Sequence, residues 1–450
     1  MSQYRLHPVL PIFAVEDEGT HAVYVPGYVM RASPRLLEEL RLAWSQGVSD
    51  VANPTTPAAA ESLARAAVDA QRGWRQLHTA PFHPLCLNVQ LPYACDLWCD
   101  YCYSRPASSH EESDRMLNRK AVLAALEFVV GHCAAQAAPF QLVIQGLGEP
   151  TLHWDDLRWC AEATQAAARA AGVPWSGHLS TNGQLDPARA EWVGEVFTHV
   201  TVSCDGPPEI QDVARPRRDG ARSSACLPAR VAVIAAGRAS VEARVTVTRA
   251  NDSRLCEVVQ YLVEGLSIRN IRLEPVFSPA QRSAESPGPE ELACLCLAAC
   301  DAGARLGAEV SFASPRLTEL HGEYCEAARQ VVRLAPDGTA VNCLHGVCAD
   351  RPRAGVLGGN NVAAGRFEMN ETAVADSRVA CSSVPPACAN CVNIYHCTRS
   401  CPDGCPNGSA PGSYRCRFQR RLAEAWILRA AASSAKGDRP PVAGDRTTER

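Results

Sequence analysis

Between about residue 82 and residue 312 the chain repeats one alternation six times, a short apolar run followed by a stretch of helical period. "PLCLNVQL", "FQLVIQG", "WSGHLST", "HVTVSC", "VEARVTVT" and "NIRLEPVF" read as buried strands. Between them lie helices such as "NRKAVLAALEFVVGHCAAQ", "WDDLRWCAEATQAAARAAG" and "RLCEVVQYLVEG". Consecutive parallel strands need crossover connections, and those are right-handed. Six βα units in a row therefore predict an α/β fold, a parallel sheet with helices outside it.

The flanking regions differ in kind. Residues 1 to about 80 open with two short strand-like runs, "PIFAVED" and "HAVYVPG". Two helical stretches follow: "SPRLLEELRLAW", capped by Ser33, and "PAAAESLARAAVDAQRGW". From about 320 to 425 the chain is rich in Cys, Gly and Pro, with little periodicity, as expected of a loop-rich domain held by something other than an apolar core. Residues 430–450 are polar and are expected to be disordered. At 450 residues the chain is long enough for two or three domains. A net charge of −4 gives no electrostatic argument for nucleic acid or an anionic membrane. With no signal-like start and no spanning apolar run, the expected location is the cytoplasm.

Against that background, 22 cysteines are anomalous. In a large chain kept among reducing thiols, dense cysteine points to metal ligation rather than disulfides. Cys133, Cys160, Cys256, Cys294, Cys296 and Cys300 fall in helical, Ala- and Leu-rich stretches and read as small buried hydrophobes. "ACDLWCDYCY" is different, placing Cys95, Cys99 and Cys102 in a loop directly after the first strand. Iron–sulfur cubanes normally take four thiolates, so three leave one iron open to an exogenous ligand. A zinc knuckle one ligand short is the alternative for the triplet taken alone.

The spacing Cys95-x3-Cys99-x2-Cys102, with Tyr101 before the last cysteine, resembles the motif of the radical S-adenosylmethionine (radical SAM) superfamily. Further segments match in order. "QGLGEPTL" is similar to the family's GGEP turn, and implies that Gly146, Gly148 and Glu149 lie against the methionine amino group; Leu147 replaces the second glycine. "STNG" resembles the ribose-contacting segment, with Ser180 and Asn182. "VSCDGPPEIQDVARPRRDG" resembles a later stretch from which Ser203, Asp205 and Arg215 carry over, with Gln211 where histidine is usual. Arg215 is expected to bind the cofactor carboxylate in a bidentate fork; a surface arginine in an Arg-rich loop is the alternative. The resemblance implies a partial (β/α)6 barrel of TIM type, a 4Fe–4S cluster on the three cysteines, and S-adenosylmethionine on its fourth iron.

The cysteine-rich region also carries a pattern. Cys325, Cys343, Cys388, Cys391, Cys397, Cys401 and Cys416 match in order and spacing the SPASM extension of some radical SAM enzymes, which carries two auxiliary 4Fe–4S clusters. By resemblance, Cys388, Cys391, Cys397 and Cys416 hold one cluster, and Cys325, Cys343 and Cys401 hold the one nearer the active site. That second set lacks a fourth ligand: Cys348, Cys381 or Cys405 could complete it, Cys348 being the first choice, or one iron is open to substrate. A pair of structural zinc sites is the alternative. "LAPDGTAVNC" reads as a hairpin turning at Asp337-Gly338.

The resemblance implies reductive cleavage of S-adenosylmethionine to a 5′-deoxyadenosyl radical, fed by a donor such as flavodoxin or ferredoxin. Auxiliary clusters suit reactions that lose a second electron, such as thioether or carbon–carbon cross-linking or side-chain oxidation. The expected partner is a peptide or protein, in particular a ribosomally made precursor with a leader. The first 80 residues resemble in layout a small leader-recognition domain; a helical lid on the barrel is weighed equally. Formylglycine generation in sulfatases is disfavoured because Leu344, not aspartate, follows Cys343. A small-molecule dehydrogenase and a non-catalytic iron–sulfur scaffold are the other readings. Asp337, His345 and His396 lie in the cysteine-rich region, and none is named as a general base.

Overall fold

The computed structural model describes residues 2–17, 19–45, 58–104, 116–276, 286–312, 317, 320, 326, 328–343, 355–361, 366–397 and 412–434. It opens with a four-stranded antiparallel sheet, β1 (Ser2–Arg5), β2 (Phe13–Asp17), β3 (Thr20–Val25) and β4 (Tyr28–Ala32), paired in chain order. Two of these four strands, β2 and β3, were legible as short strand-like runs. The Pro26-Gly27 turn, with Gly27 at φ +85°, sends the chain back into β4. Ser33 caps α1 (Pro34–Ser45) as expected, its Oγ accepting from Leu36 N at 3.1 Å. α2 (Ala58–Thr79) follows. One face of the sheet buries Ile12, Ala14, Val23 and Val25 against Leu37, Leu40 and Trp44 of α1 and Leu63 of α2.

The six predicted strands all form, in the predicted order and all parallel: β5 (Cys86–Val89), β6 (Phe140–Ile144), β7 (Trp175–Thr181), β8 (His199–Ser203), β9 (Ser240–Val247) and β10 (Asn270–Pro275). β11 (Glu309–Phe312) adds a seventh parallel strand at the β10 edge. The crossovers are α3 (Arg119–Ala135), α4 (Trp154–Ala170), α5 (Pro187–Val196), α6 (Pro208–Ala214) with α7 (Leu227–Ala236), α8 (Leu255–Gln260) and α9 (Pro289–Arg305). The stretch "RLCEVVQYLVEG" is not one helix: α8 passes into a π turn over Tyr261–Gly265.

Beyond β5 the sheet continues with β12 (Val331–Leu334), parallel to β5, then antiparallel β13 (Ala340–Val341), β14 (Val356–Asn361) and β15 (Arg366–Met369), giving eleven strands among the described residues. The region read as loop-rich thus supplies four strands, α10 (Glu371–Ser382) and α11 (Tyr414–Ser434). Local periodicity could not show this, because each strand is short and β12 pairs with a strand some 245 residues earlier. The Asp337-Gly338 hairpin turn forms, with Gly338 at φ +92° packed against Ala121 of α3. α11 reaches Ser434 with Ala431 buried, so the tail boundary expected at 430 falls inside a helix; 435–450 lie outside the described residues.

Of the cysteines read as buried hydrophobes, Cys133, Cys160, Cys296 and Cys300 are buried, but Cys256 and Cys294 are exposed. Cys294 lies beside Arg421 of α11.

Candidate active site

Alternation along the parallel strands separates two faces. Leu142, Leu179, Val200, Val202, Val245 and Leu273 are buried in one core with the helices. Asn88, Gln141, His178, Ser180, Thr201, Glu242, Arg244, Thr246 and Arg272 occupy the opposite parity and form a polar face. Functional groups collect at the carboxyl ends of such strands, where the βα loops begin.

The loop after β5 carries the three cysteines. Its backbone is strapped across the sheet: Trp98 N donates to Pro216 O at 2.8 Å, Arg218 N donates to Asp96 O at 2.9 Å, and Leu97 bridges Arg217. The Arg218 guanidinium lies 4.2 Å above the Trp98 ring. Cys99 is buried, Cys95 and Cys102 partly so. Burial pushes the Cys95 thiol up to about 12 and the Cys99 thiol up to about 11, with neighbouring thiols adding to each. An iron ligand must be a thiolate, so loading this loop with metal releases protons.

The turn after β6 lies against that loop. A Cβ on Gly148 would stand 2.2 Å from Ala94 O and 2.5 Å from Tyr93 O, and one on Gly146 would stand 2.1 Å from Gly148 O. Only glycine lets the two backbones approach this closely. Leu147 is buried. Glu149 N donates to Ala94 O at 2.8 Å. The Glu149 carboxylate accepts from Thr151 N at 3.1 Å, Thr151 Oγ1 at 2.8 Å, Thr181 Oγ1 at 2.7 Å and Asn182 N at 2.6 Å. Burial raises its pKa while these four bonds oppose the rise. The residue expected to meet an ammonium therefore ties the ends of β6 and β7 together. Asn182 Nδ2 donates to Asp96 Oδ1 at 2.7 Å, linking the "STNG" turn to the cysteine loop. Ser180 Oγ is buried without a hydrogen-bond partner among the described residues.

At the end of β8, Asp205 is fully buried and Arg215 nearly so. Arg215 Nε and one Nη donate to the two Asp205 oxygens at 2.9 and 3.0 Å, and the same Nη reaches Thr246 Oγ1 at 3.2 Å. The fork expected to bind a cofactor carboxylate thus clasps a protein carboxylate; the second Nη makes no hydrogen bond among the described residues. Tyr101 Oη donates to Asp205 Oδ2 at 2.5 Å, and the guanidinium stands 5.4 Å over the Tyr101 ring. Asp205 also accepts from Thr246 N, while its own N–H donates to Gln211 Oε1 at 2.8 Å, so the glutamine in the place of histidine caps this junction. Burial works against the Arg215 charge, but Asp205, Tyr101 and Cys99 together hold it protonated. Arg215 is no surface residue, and it closes the group around the cysteine loop. Ser203, the last residue of β8, pairs in register with Arg244.

In the cysteine-rich region Cys388 and Cys391 share one turn, Cys391 N donating to Cys388 O at 3.0 Å. Cys391 feels both Cys388 and Cys416 electrostatically, and Cys397 Sγ lies 3.9 Å from Gln419 Oε1, one turn along α11 from Cys416. Cys343 follows β13. Cys325, Cys348, Cys401, Cys405 and His345 lie outside the described residues, as does the side chain of Cys381. Among the described residues no three His, Cys, Asp or Glu side chains converge on a position for one metal ion. Both sets are all-thiol and partly buried, a donor chemistry that suits iron–sulfur clusters.

The polar face of the parallel strands escaped sequence reasoning. His178 bonds Thr201 Oγ1 at 2.7 Å, and Arg272 pairs with Glu242 at 3.3 Å. The signal was present in "VEARVTV", whose strict polar–apolar alternation departs from the continuous apolar run of a strand covered by helices on both sides.

No family model matches the sequence, and no curated protein matches it either. Solved structures do. anSMEcpe with bound AdoMet superposes over 78% of this chain and 100% of its own, with a TM-score of 0.59 at 18% identity. The same protein with bound AdoMet and the Cp18Cys peptide covers 78% and 100%, with a TM-score of 0.58 at 18% identity. Streptococcus suis SuiB bound to precursor peptide SuiA covers 86% of this chain and 95% of its own, with a TM-score of 0.51 at 12% identity. The large, mostly parallel sheet and its strand order thus give this chain a radical SAM-like α/β fold.

Proposed function

We propose that the protein is a radical SAM oxidoreductase that matures a ribosomally synthesised peptide, placing a thioether or carbon–carbon cross-link or oxidising a side chain. The observation that carries this reading is the strapped loop of Cys95, Cys99 and Cys102 at the carboxyl end of the first parallel strand, closed by the Tyr101–Asp205–Arg215 group. These three cysteines would hold the 4Fe–4S cluster that binds S-adenosylmethionine. When bound, cluster and cofactor together supply a 5′-deoxyadenosyl radical able to take hydrogen from a substrate C–H bond.

The chain's own residues provide the rest. Gly146 and Gly148 bring the turn after β6 against the cysteine loop, and Glu149 and Asn182 lock that turn to β7. Ser180 Oγ, buried without a hydrogen-bond partner among the described residues, offers a polar contact to a bound cofactor. Closing water out protects reactive intermediates from side reactions.

Two auxiliary clusters would sit on Cys388, Cys391, Cys397 and Cys416, and on Cys325, Cys343 and Cys401, with Cys348 or an open iron completing the latter. Domains are proposed at 1–80, 82–312 and 320–425. A peptide substrate draws support from the peptides bound to anSMEcpe and SuiB. A flavodoxin or ferredoxin donor and a cytoplasmic location go with this reading. No described helix is long and apolar enough to cross a membrane.

The test is iron and acid-labile sulfide on protein purified without oxygen, together with 5′-deoxyadenosine release after reduction. Three cubanes predict about 12 of each per chain. About 4 would leave the first cluster only and sink the oxidative reading, and no 5′-deoxyadenosine would sink the radical chemistry.

A further inference from the structure

The four-stranded N-terminal sheet grips the segment that carries three of the tail cysteines. Gln3 on β1 uses both ends of its amide: Nε2 donates to Asn390 O at 3.1 Å, and Oε1 accepts from Val392 N at 3.1 Å. Arg5, also on β1, donates from Nη1 to Ala389 O at 2.9 Å, and its Nε donates to Leu10 O at 3.0 Å, which fixes the guanidinium. On β3, the buried Tyr24 hydroxyl hydrogen-bonds His396 Nε2. Trp74 of α2 stacks on Tyr395, ring centroids 5.0 Å apart at 21°. Val392 and Ile394 share one apolar cluster with Phe13, Val15 and Ala22.

All these contacts fall between Ala389 and His396, inside the span from Cys388 to Cys397. Among the described residues that span belongs to no β-ladder. Among the described residues its backbone bonds are local, including Cys391 N to Cys388 O, Ile394 N to Cys391 O and His396 N to Asn393 O, and they shape turns. The bonds from Gln3, Arg5 and Tyr24 tie these turns to the sheet at both ends of the span. Ala423, Ile427 and Leu428 of α11 pack on the same face of the N-terminal sheet. The sheet is therefore the common surface on which the cysteine turns and the helix bearing Cys416 are both registered.

We propose that the N-terminal sheet is the holder of the Cys388–Cys391–Cys397–Cys416 cluster site, with Gln3, Arg5 and Tyr24 as positioning residues. This rests on the reading of those cysteines as cluster ligands. It gives residues 1–80 a task independent of any leader peptide.

The experiment compares wild type with Gln3→Ala/Arg5→Ala and with Tyr24→Phe, which keeps the aromatic ring in the core. Iron and sulfide are counted and the reduced clusters followed by EPR. The expected result is about 12 irons per chain in wild type and about 8 in the double variant, one cubane's worth lost. The EPR component of one auxiliary cluster should disappear while 5′-deoxyadenosine formation persists. Hydrogen exchange on metal-free protein gives a second readout, with amides 390–396 exchanging faster in both variants than in wild type. Wild type and variants alike at about 12 irons, with unchanged exchange, would overturn the holder role and leave the cluster reading standing. Wild type at about 4 irons would overturn the cluster reading itself.

Discussion

Replacing Gly148 by alanine tests the close approach on which the cysteine loop depends. The new Cβ would meet Ala94 O at 2.2 Å and Tyr93 C and O at 2.5 Å. These are backbone atoms, so no side chain can swing aside, and the two segments must part by about 1 Å. That opening stretches the Glu149 N to Ala94 O bond, now 2.8 Å, beyond hydrogen-bonding range. Overpacking costs about 1–3 kcal/mol and a lost buried hydrogen bond about 1 kcal/mol more. Together they give about 2–4 kcal/mol, applied one residue before Cys95. Gly148→Ala should lower the thermal midpoint and lose the first cluster, removing about 4 irons per chain and 5′-deoxyadenosine release. Gly131→Ala is the control: nothing lies within 4 Å of its added Cβ, and alanine favours a helix interior by about 1 kcal/mol. A Gly148→Ala protein with full iron and an unchanged midpoint would refute the reasoning.

Three further outcomes follow from the same geometry. Asp205→Asn leaves the buried Arg215 charge uncompensated and should cost about 3–5 kcal/mol in denaturant unfolding, whereas Asp205→Leu/Arg215→Met should recover much of it; equal stability of the two variants contradicts the clasp. His178, held near a pKa of about 3 by burial and then by Arg244, His199 and Arg272, stays neutral in the fold while the unfolded chain takes up a proton below about 6.5. The unfolded state binds more protons, so stability falls with pH, by about 2 kcal/mol from pH 6.5 to 5; His178→Gln should remove that part of the slope, and an identical slope would argue for a charged imidazole. Cys102→Ser should lose about 4 irons per chain while keeping the EPR signals of the auxiliary clusters; loss of all iron would mean that the sites assemble together.

Much of the αβ region was legible because its information is local. Each of the six strands is a short apolar or alternating run bounded by turn residues, and the right-handed crossover then leaves little choice of order. The cysteine triplet, the glycine turn and "STNG" are contiguous segments, each falling at a strand end by sequence distance alone. Gly338 announced its hairpin because φ +92° suits glycine best.

What the sequence could not show depends on groups far apart in the chain. The Arg215 fork reads as a cofactor ligand in isolation, but the fold brings it to Asp205 and Tyr101, and a buried guanidinium takes the carboxylate already beside it. β12 lies next to β5 because a parallel sheet edge offers unpaired backbone groups, and no local pattern names the strand that fills them. The N-terminal sheet and the cysteine turns share a core across some 370 residues, a juxtaposition that only burial of the second face of that sheet decides. The order of parallel strands and the motifs at their ends were thus fixed by local periodicity and crossover handedness. The partners of Arg215, Glu149 and the tail cysteines were decided by tertiary packing, because a polar group removed from water bonds to whatever the fold places beside it.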